Sequence, residues 1–342
     1  MKIVVLAGGL SDERDVSLSS GAKIANALMA KGHQVLLMDL YLGISDASDF
    51  DSAYSKYGQN TYHYDIPDLT PDLKELIIKN KGRESEIGIN VVPICQTSDL
   101  VFLALHGGIG ENGKLQAFFD LHYIKYTGSD YKSSLLAMDK IVSKTLMASN
   151  HIVTPKWTVC DSVSQNRLSA PAVVKPNDNG SSIGVKIAEK ETDLKEAIQE
   201  ARLYSESILI EEKIEGREFS VGILNRSALP VIELIPKQGF YDYQNKYQVG
   251  ATEEITPAVI DDKLKDSLQE LALDVFKLLQ LSVYARIDFI VDANNRIYCI
   301  EANSLPGMTP TSLLPQEALA NGISYENLCQ QIVDLSLKKY KG

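Results

Sequence analysis

The opening of the chain leaves few folds available. "KIVVLAG" is a short continuous apolar run that breaks at Gly8-Gly9. "SDERDVSLSSGAKIANALMAKG" then shows helical spacing at Val16, Ile24, Ala27 and Leu28 before Gly32, and "HQVLLMDL" is apolar again. Strand, helix and strand in that order predict a βαβ unit. Another strand, "DLVFLAL", ends at His106-Gly107-Gly108. Residues 1–138 are therefore expected to form a doubly wound α/β domain, with ligands at the ends of its strands. The polar, Tyr-rich stretch from Gly43 to about Glu86 reads as an irregular excursion holding a short helix, and the sequence assigns it no role.

The texture changes at Met138. "MDKIVSKTLMASN" reads as a helix, "PAVVKPNDNGSSIGVKIAE" as two strands around a loop, then a helix from Glu191 to Tyr204, and "SILIEEKIEGREFSVGIL" as two more strands. A long loop, "IPKQGFYDYQNKYQVGATEEITP", precedes a helix from Lys263 to Leu281, a hairpin, and a last helix from Tyr325 to Lys339. Segregated strands and helices with mixed pairing predict an α+β second half in two lobes, 139–217 and 218–342.

Composition narrows the function. A chain of 342 residues has room for two or three cores. Its net charge of −11 offers no basic excess for nucleic acid or an anionic membrane, so a phosphate ligand must meet a local cationic site. The four cysteines lie far apart without a Cys-x-x-Cys, which implies neither zinc nor a disulfide framework. The first apolar run is too short for a signal peptide or a membrane span, so a cytoplasmic protein is expected.

The hairpin "RIDFIVDANNRIYCIEANSLPGM" is apolar except at Arg286, Asp288, Glu301 and Asn303. A tight turn centred on Ala293 and Asn294 predicts Asp288 opposite Cys299 and Arg286 opposite Glu301. All four polar side chains then share a face, with Asp288 and Glu301 as diagonal neighbours. Two readings stand side by side: a hard-oxygen site for Mg²⁺ or Mn²⁺, and an Arg286–Glu301 ion pair with Asp288 solvated.

Three further segments carry chemistry. In "VVKPNDNGSSIGV", Lys175 and the small residues Gly180, Ser181, Ser182 and Gly184 suit an anion, although taken alone they read first as an ordinary Gly-Ser hairpin and no Walker spacing is present. "LIEEKIEGREF" sets Glu211 and Glu218 where they could accept bonds from a ribose or an exocyclic amine. Glu13 falls at a βα turn, where an acidic residue suits an ammonium, and His106 ends a strand beside glycines, a place often structural.

In this order, "GGLSDERDVSLSSG", "LALHGGIGENGKLQ", "YTGS", "AMDK", "VVKPNDNGSSIG", "GREF", "FYDYQNKY", "ARIDF" and "EANSLPGMTPTSLLP" resemble the D-alanine–D-alanine ligase family of the ATP-grasp superfamily. The resemblance implies an ATP-grasp fold, mixed α/β and α+β, behind an N-terminal doubly wound α/β domain. It implies ATP held by Lys140, Lys175, Glu211 and Glu218, with Ser182 beside it and Lys246 reaching the γ-phosphate. Two Mg²⁺ or Mn²⁺ ions would sit on Asp288, Glu301 and Asn303. Glu13 would take the ammonium of the first D-alanine, with His106 close by, and Ser312 with Leu313 the second carboxylate. Arg286 and the backbone at Gly307 would stabilise the tetrahedral intermediate, while Tyr247, Ser181 and Glu13 form a hydrogen-bonded triad. The loop around Tyr247 is expected to close over an acyl phosphate. D-alanine as both substrates and a homodimer follow from the same resemblance.

The chain departs from the family pattern at Asn112, Ala117 and Ser304, none assigned to chemistry. The competing readings are a D-alanyl-D-serine or D-alanyl-D-lactate ligase on the same fold, a silent nucleotide-binding protein, and a NAD-dependent oxidoreductase that lacks its glycine fingerprint.

Overall fold

The computed structural model describes residues 1–67, 71–160, 168–180, 182–237 and 251–341. Ser181, Lys246, Tyr247 and most of the expected closing loop lie outside the described residues. The described chain groups into two compact units: residues 1–131, 282–284 and 305–342, and residues 132–281 and 285–304. The last segment of the chain thus belongs with the first.

Unit 1 is built as its opening sequence dictates. Strands β1 (Lys2–Ala7), β2 (Gln34–Asp39) and β3 (Leu100–Leu103) form a parallel sheet in the order β2-β1-β3. Ile3, Val4, Val5 and Leu6 are all fully buried, which explains the unbroken apolar run of β1. Helix α1 (Arg14–Ala30) crosses between β1 and β2, and the closing helix Tyr325–Lys338 packs on it. That helix starts at Ser324, whose hydroxyl accepts from the Asn327 N–H. The excursion holds two helices rather than one, Phe50–Tyr57 and Leu73–Lys79. It is stitched down by reciprocal bonds between Asn26 and Tyr62 at 2.8 and 2.9 Å.

Unit 2 contains two sheets. β4 (Trp157–Cys160), β5 (Ala172–Pro176), β6 (Lys186–Ala188) and β7 (Ile208–Glu212) form an antiparallel sheet ordered β4-β7-β5-β6. The helix Glu191–Ala201 covers it through Leu194, Ala197, Ile198 and Ala201. The second sheet is ordered β11-β10-β8-β12-β13, with β9 (Ser227–Ala228) paired to β8. Its other strands are β8 (Gly216–Leu224), β10 (Ile232–Pro236), β11 (Thr252–Ile255), β12 (Tyr284–Asp292) and β13 (Ile297–Asn303). β11 corrects the sequence reading, which left Thr252–Ile255 in the long loop. These residues pair antiparallel with β10, whose edge would otherwise be unpaired.

The helix Asp262–Leu278 explains itself by spacing. Leu264, Leu268, Ala272 and Val275 form one apolar stripe against Val221, Ile287 and Phe289 of the second sheet. Asp261 caps its start by accepting from the Leu264 N–H at 2.9 Å. One face of this sheet is thereby closed by helices, leaving the other to carry polar side chains.

Candidate active site

The hairpin of β12 and β13 answers the question its sequence poses. Ala285, Ile287, Phe289 and Val291 point into the core, so Arg286, Asp288 and Ile290 take the opposite face. The pairing, however, differs from the expected one. Phe289 lies opposite Cys299, the register then shifts, and Asp288 lies opposite Glu301 and Arg286 opposite Asn303. Ile300 is the extra residue of a β-bulge. Its physical reason is that Cys299 and Ala302, three apart, are both buried in the core. Strict alternation would send them to opposite faces, and the bulge removes that conflict. It also turns Glu301 and Asn303 onto the face of Asp288. The two carboxylates are direct rather than diagonal neighbours.

Asp288 is the hub. It accepts from Arg286 Nε at 2.9 Å and Nη2 at 2.8 Å, from Asn303 Nδ2 at 3.0 Å and from Ser220 Oγ at 2.7 Å. Arg286 therefore forks onto the carboxylate two residues along its own strand. Glu301 lies 3.8 Å from Lys140 Nζ. Among the described residues no group of three or more His, Cys, Asp or Glu could hold a metal unaided. Mg²⁺ does not need one, since it commonly takes one or two carboxylates plus substrate phosphates and waters. Two facing carboxylates and the Asn303 amide fit a hard divalent ion of that kind.

Of these side chains, Asp288, Glu301 and Lys140 line a cavity of about 520 Å³ in unit 2. Val173, Ile187, Phe219 and Leu234 supply an apolar slot, while Lys140, Lys175, Ser182, Glu211, Glu218, Asp288 and Glu301 supply its polar wall. An apolar slot with cations on one side suits a flat heterocycle that carries phosphates. Lys140 opens the helix Lys140–Ser149, capped by Asp139, and its Nζ donates to the Asn179 carbonyl at 2.7 Å. In the loop after β5, Ser182 adopts φ +58° and Gly184 φ +75°. Glu211 sits between two lysines, with Lys144 Nζ 2.8 Å from Oε1 and Lys175 Nζ 2.8 Å from Oε2. Burial alone would raise its carboxyl, but the charges of Lys144 and Lys175 overcome that and hold it below the usual carboxylate range.

Sequence reasoning missed Lys144 and Ser220. Lys144 follows Lys140 by four residues, a spacing that places both on one helix face and was legible in "DKIVSK". Ser220 carries no local signal. It faces Asp288 only because β8 and β12, far apart in sequence, are neighbours in the sheet.

In unit 1 the candidate residues are set by small side chains. Gly8 and Gly9 take φ +71° and +87° where β1 ends. A Cβ on Gly8 would come 2.3 Å from Asp39 Oδ2, so only glycine fits. The Ser17 hydroxyl accepts from the Gly8 N–H at 2.8 Å and donates to the Ala104 carbonyl at 2.7 Å, tying the ends of β1 and β3 to α1. Ser20 Oγ lies 3.2 Å from His106 Nε2, and Ser11 Oγ donates to the His106 carbonyl at 2.7 Å. Glu13, buried at the N-terminus of α1, packs its carboxylate against bare Gly107. A Cβ there would lie 2.8 Å from Glu13 Oε2.

The turn after β13 brings Gly307 against Ser312, whose Oγ would lie 2.9 Å from any added Cβ. That oxygen accepts from the Thr309 N–H at 3.1 Å and does not cap the helix Leu313–Ala320 that it precedes. The helix start at Leu313 thus keeps the partial positive charge that favours a carboxylate.

Comparison with known proteins is consistent with this geometry. The family model for the D-ala D-ala ligase N-terminus matches residues 2–129, and that for the C-terminus matches residues 142–334. The chain belongs to the D-alanine–D-alanine ligase family. It is 46% identical to the D-alanine–D-alanine ligase of Pediococcus pentosaceus over 97% of each chain. It is 41% identical to that of Lacticaseibacillus casei over 99% of this chain and 97% of the other. Among solved structures it is similar to the D-alanine–D-alanine ligase of Bacillus anthracis complexed with ATP, with a TM-score of 0.74, 28% identity and full coverage of both chains. The fold is ATP-grasp, mixed α/β and α+β, as the motif order implied.

Proposed function

We propose that the protein joins two D-alanine molecules into D-alanyl-D-alanine with ATP as the driving nucleotide, through an acyl phosphate, to supply a peptidoglycan precursor. The carrying observation is the unit 2 cavity, where Lys140, Lys175 and Glu218 meet the facing carboxylates Asp288 and Glu301. A carboxylate is a poor electrophile until phosphorylated, and this set of charges suits that first step. Lys140 and Lys175 neutralise phosphate oxygens, Ser182 and its loop present backbone N–H groups, and Glu218 takes the ribose. Asp288, Glu301 and Asn303 hold Mg²⁺ or Mn²⁺, which when bound draw charge from the phosphates. Arg286 serves the negative charge that develops during acyl transfer.

On unit 1, Glu13 takes the ammonium of the first D-alanine beside His106. The helix start at Ser312 and Leu313 takes the carboxylate of the second, and the Gly307 backbone supports the tetrahedral intermediate. Ser181, Lys246 and Tyr247 keep the roles the family resemblance gives them, and the uncharged phenol of Tyr247 favours an ammonium second substrate over D-lactate. We further propose lobes at 1–138, 139–217 and 218–342, the last of which gives its residues 305–342 to unit 1, together with a homodimer and a cytoplasmic location. Among the described residues no helix is long and apolar enough to cross a membrane.

The experiment is phosphate release from ATP with D-alanine, D-lactate or both, with products identified by mass. D-alanine-dependent release and the dipeptide are expected. Release that ignores D-alanine, or a depsipeptide formed at neutral pH, would overturn the substrate assignment.

A further inference from the structure

Lys144 has no exposure at all, and nothing in the proposed chemistry uses it. A fully buried lysine is rare unless a partner holds it. Here the partner is Glu211, and the Lys144 ammonium also donates to the Thr154 hydroxyl. Glu211 in turn carries Lys175 on its other oxygen at the same 2.8 Å. One carboxylate therefore stands between two ammonium groups, one sealed in the interior and one facing the cavity. Each oxygen of Glu211 faces one ammonium group.

We propose that Lys144 is a positioning residue for nucleotide binding: it neutralises Glu211 from behind, so that Lys175 meets the phosphates as an uncompensated cation. This rests on reading the cavity as the ATP site.

Charge counting shows why the buried lysine matters. With Lys144, Glu211 and Lys175 present, the cluster carries a net single positive charge. Without Lys144, Glu211 and Lys175 cancel, and this side of the cavity loses its pull on an anion at a place where solvent screens little, leaving Lys140 to supply it. Burial, opposed by the charge of Glu211 and reinforced by that of Lys175, holds the Lys144 ammonium below its ordinary range. Replacing a buried charged pair by neutral groups of similar size is often tolerated, whereas removing one member is not. That difference separates a charge role from a packing role.

The test is ADP affinity by calorimetry for the full-length protein, Lys144→Met, Glu211→Gln, and the two changes combined, each first checked for a cooperative melt. Lys144→Met should bind ADP at least ~10-fold more weakly than the native protein, about 1.4 kcal/mol. Once Glu211 is neutral there is no charge for Lys144 to offset, so the combined variant should lie within about threefold of Glu211→Gln, whatever Glu211→Gln itself does to affinity. Lys144→Met that binds ADP like the native protein overturns the proposal. So does a folded combined variant at least ~10-fold weaker than Glu211→Gln. If Lys144→Met does not fold, the comparison of the combined variant with Glu211→Gln decides, and failure of the combined variant to fold also overturns the proposal, because Lys144 would then serve the fold whatever charge faces the cavity. A native protein that binds no ADP would instead refute the reading of the cavity as the nucleotide site.

Discussion

The candidate residues of the two units are held by different means. In unit 2 the charges hold each other: Asp288 accepts four hydrogen bonds, and Glu211 is gripped by two lysines. In unit 1 close packing and hydroxyl groups locate them, with Glu13 against a bare Gly107 and His106 beside Ser11 and Ser20. The group around Asp288 and Glu301 can lose one charge and keep its sheet, because the apolar face of β12 is formed by other residues. A carboxylate packed on a glycine cannot be disturbed without moving the turn beneath it. Substitutions in the Asp288 group should therefore separate activity from stability, and those at Glu13 and Gly107 should not.

The largest expected effect breaks the unit 2 network at its carboxylates. Glu301→Gln keeps the shape of the bulge but removes one charge from the ion site. Turnover at limiting Mg²⁺ should fall by roughly 10²–10³, the scale of losing one preorganised electrostatic group, with the melting temperature almost unchanged. Mn²⁺ affinity in the presence of ADP, followed by electron paramagnetic resonance, should weaken in parallel. Near-native turnover at limiting Mg²⁺ would remove the metal assignment.

Gly107→Ala makes the opposite test in unit 1. The residue sits at φ +66°, ψ −176°, a region open almost only to glycine, and its new Cβ would meet Glu13 and Ser11 at 2.8 Å. The strain should cost about 1–3 kcal/mol of stability. The KM for D-alanine should rise along with that loss while ADP affinity stays native. A variant that lost activity but melted like the native protein would contradict the contrast between the units.

How much of this was legible in the sequence follows the same division. The β1–α1–β2 order could be read because its signals are local: an apolar run, a helical spacing, a glycine stop. The apolar stripe of Asp262–Leu278 was legible for the same reason. The bulge at Ile300 was not, because two-residue alternation gives one register and only the burial of both Cys299 and Ala302 reveals another. That Asp288, Glu301 and Asn303 share a face was legible despite the wrong register, since either pairing puts all three there. Ser220 and the return of residues 305–342 to unit 1 depend on contacts distant in sequence, where local pattern is silent.

The smallest expected effect concerns the excursion from Gly43 to about Glu86, which carries no candidate site residue. Tyr64 donates its hydroxyl to Asp15 in the first turn of α1, two residues from Glu13. Burial, then the hydrogen bond and charge of Asp15, push the Tyr64 phenol up to about 12. In the unfolded chain it titrates near ~10, so the folded state binds the proton more tightly. That contribution is complete below pH ~10, and is lost as pH rises from there toward about 12. Tyr64→Phe should cost about 1 kcal/mol at neutral pH, the usual worth of one such bond at a half-exposed site. It should also flatten the alkaline limb, so that native and variant stabilities converge at the upper end of the window. Denaturant melts at a series of pH values would show this. A stability difference that stays constant across that window would mean the hydroxyl is not what ties the excursion to α1, and that Tyr64 acts through its ring alone.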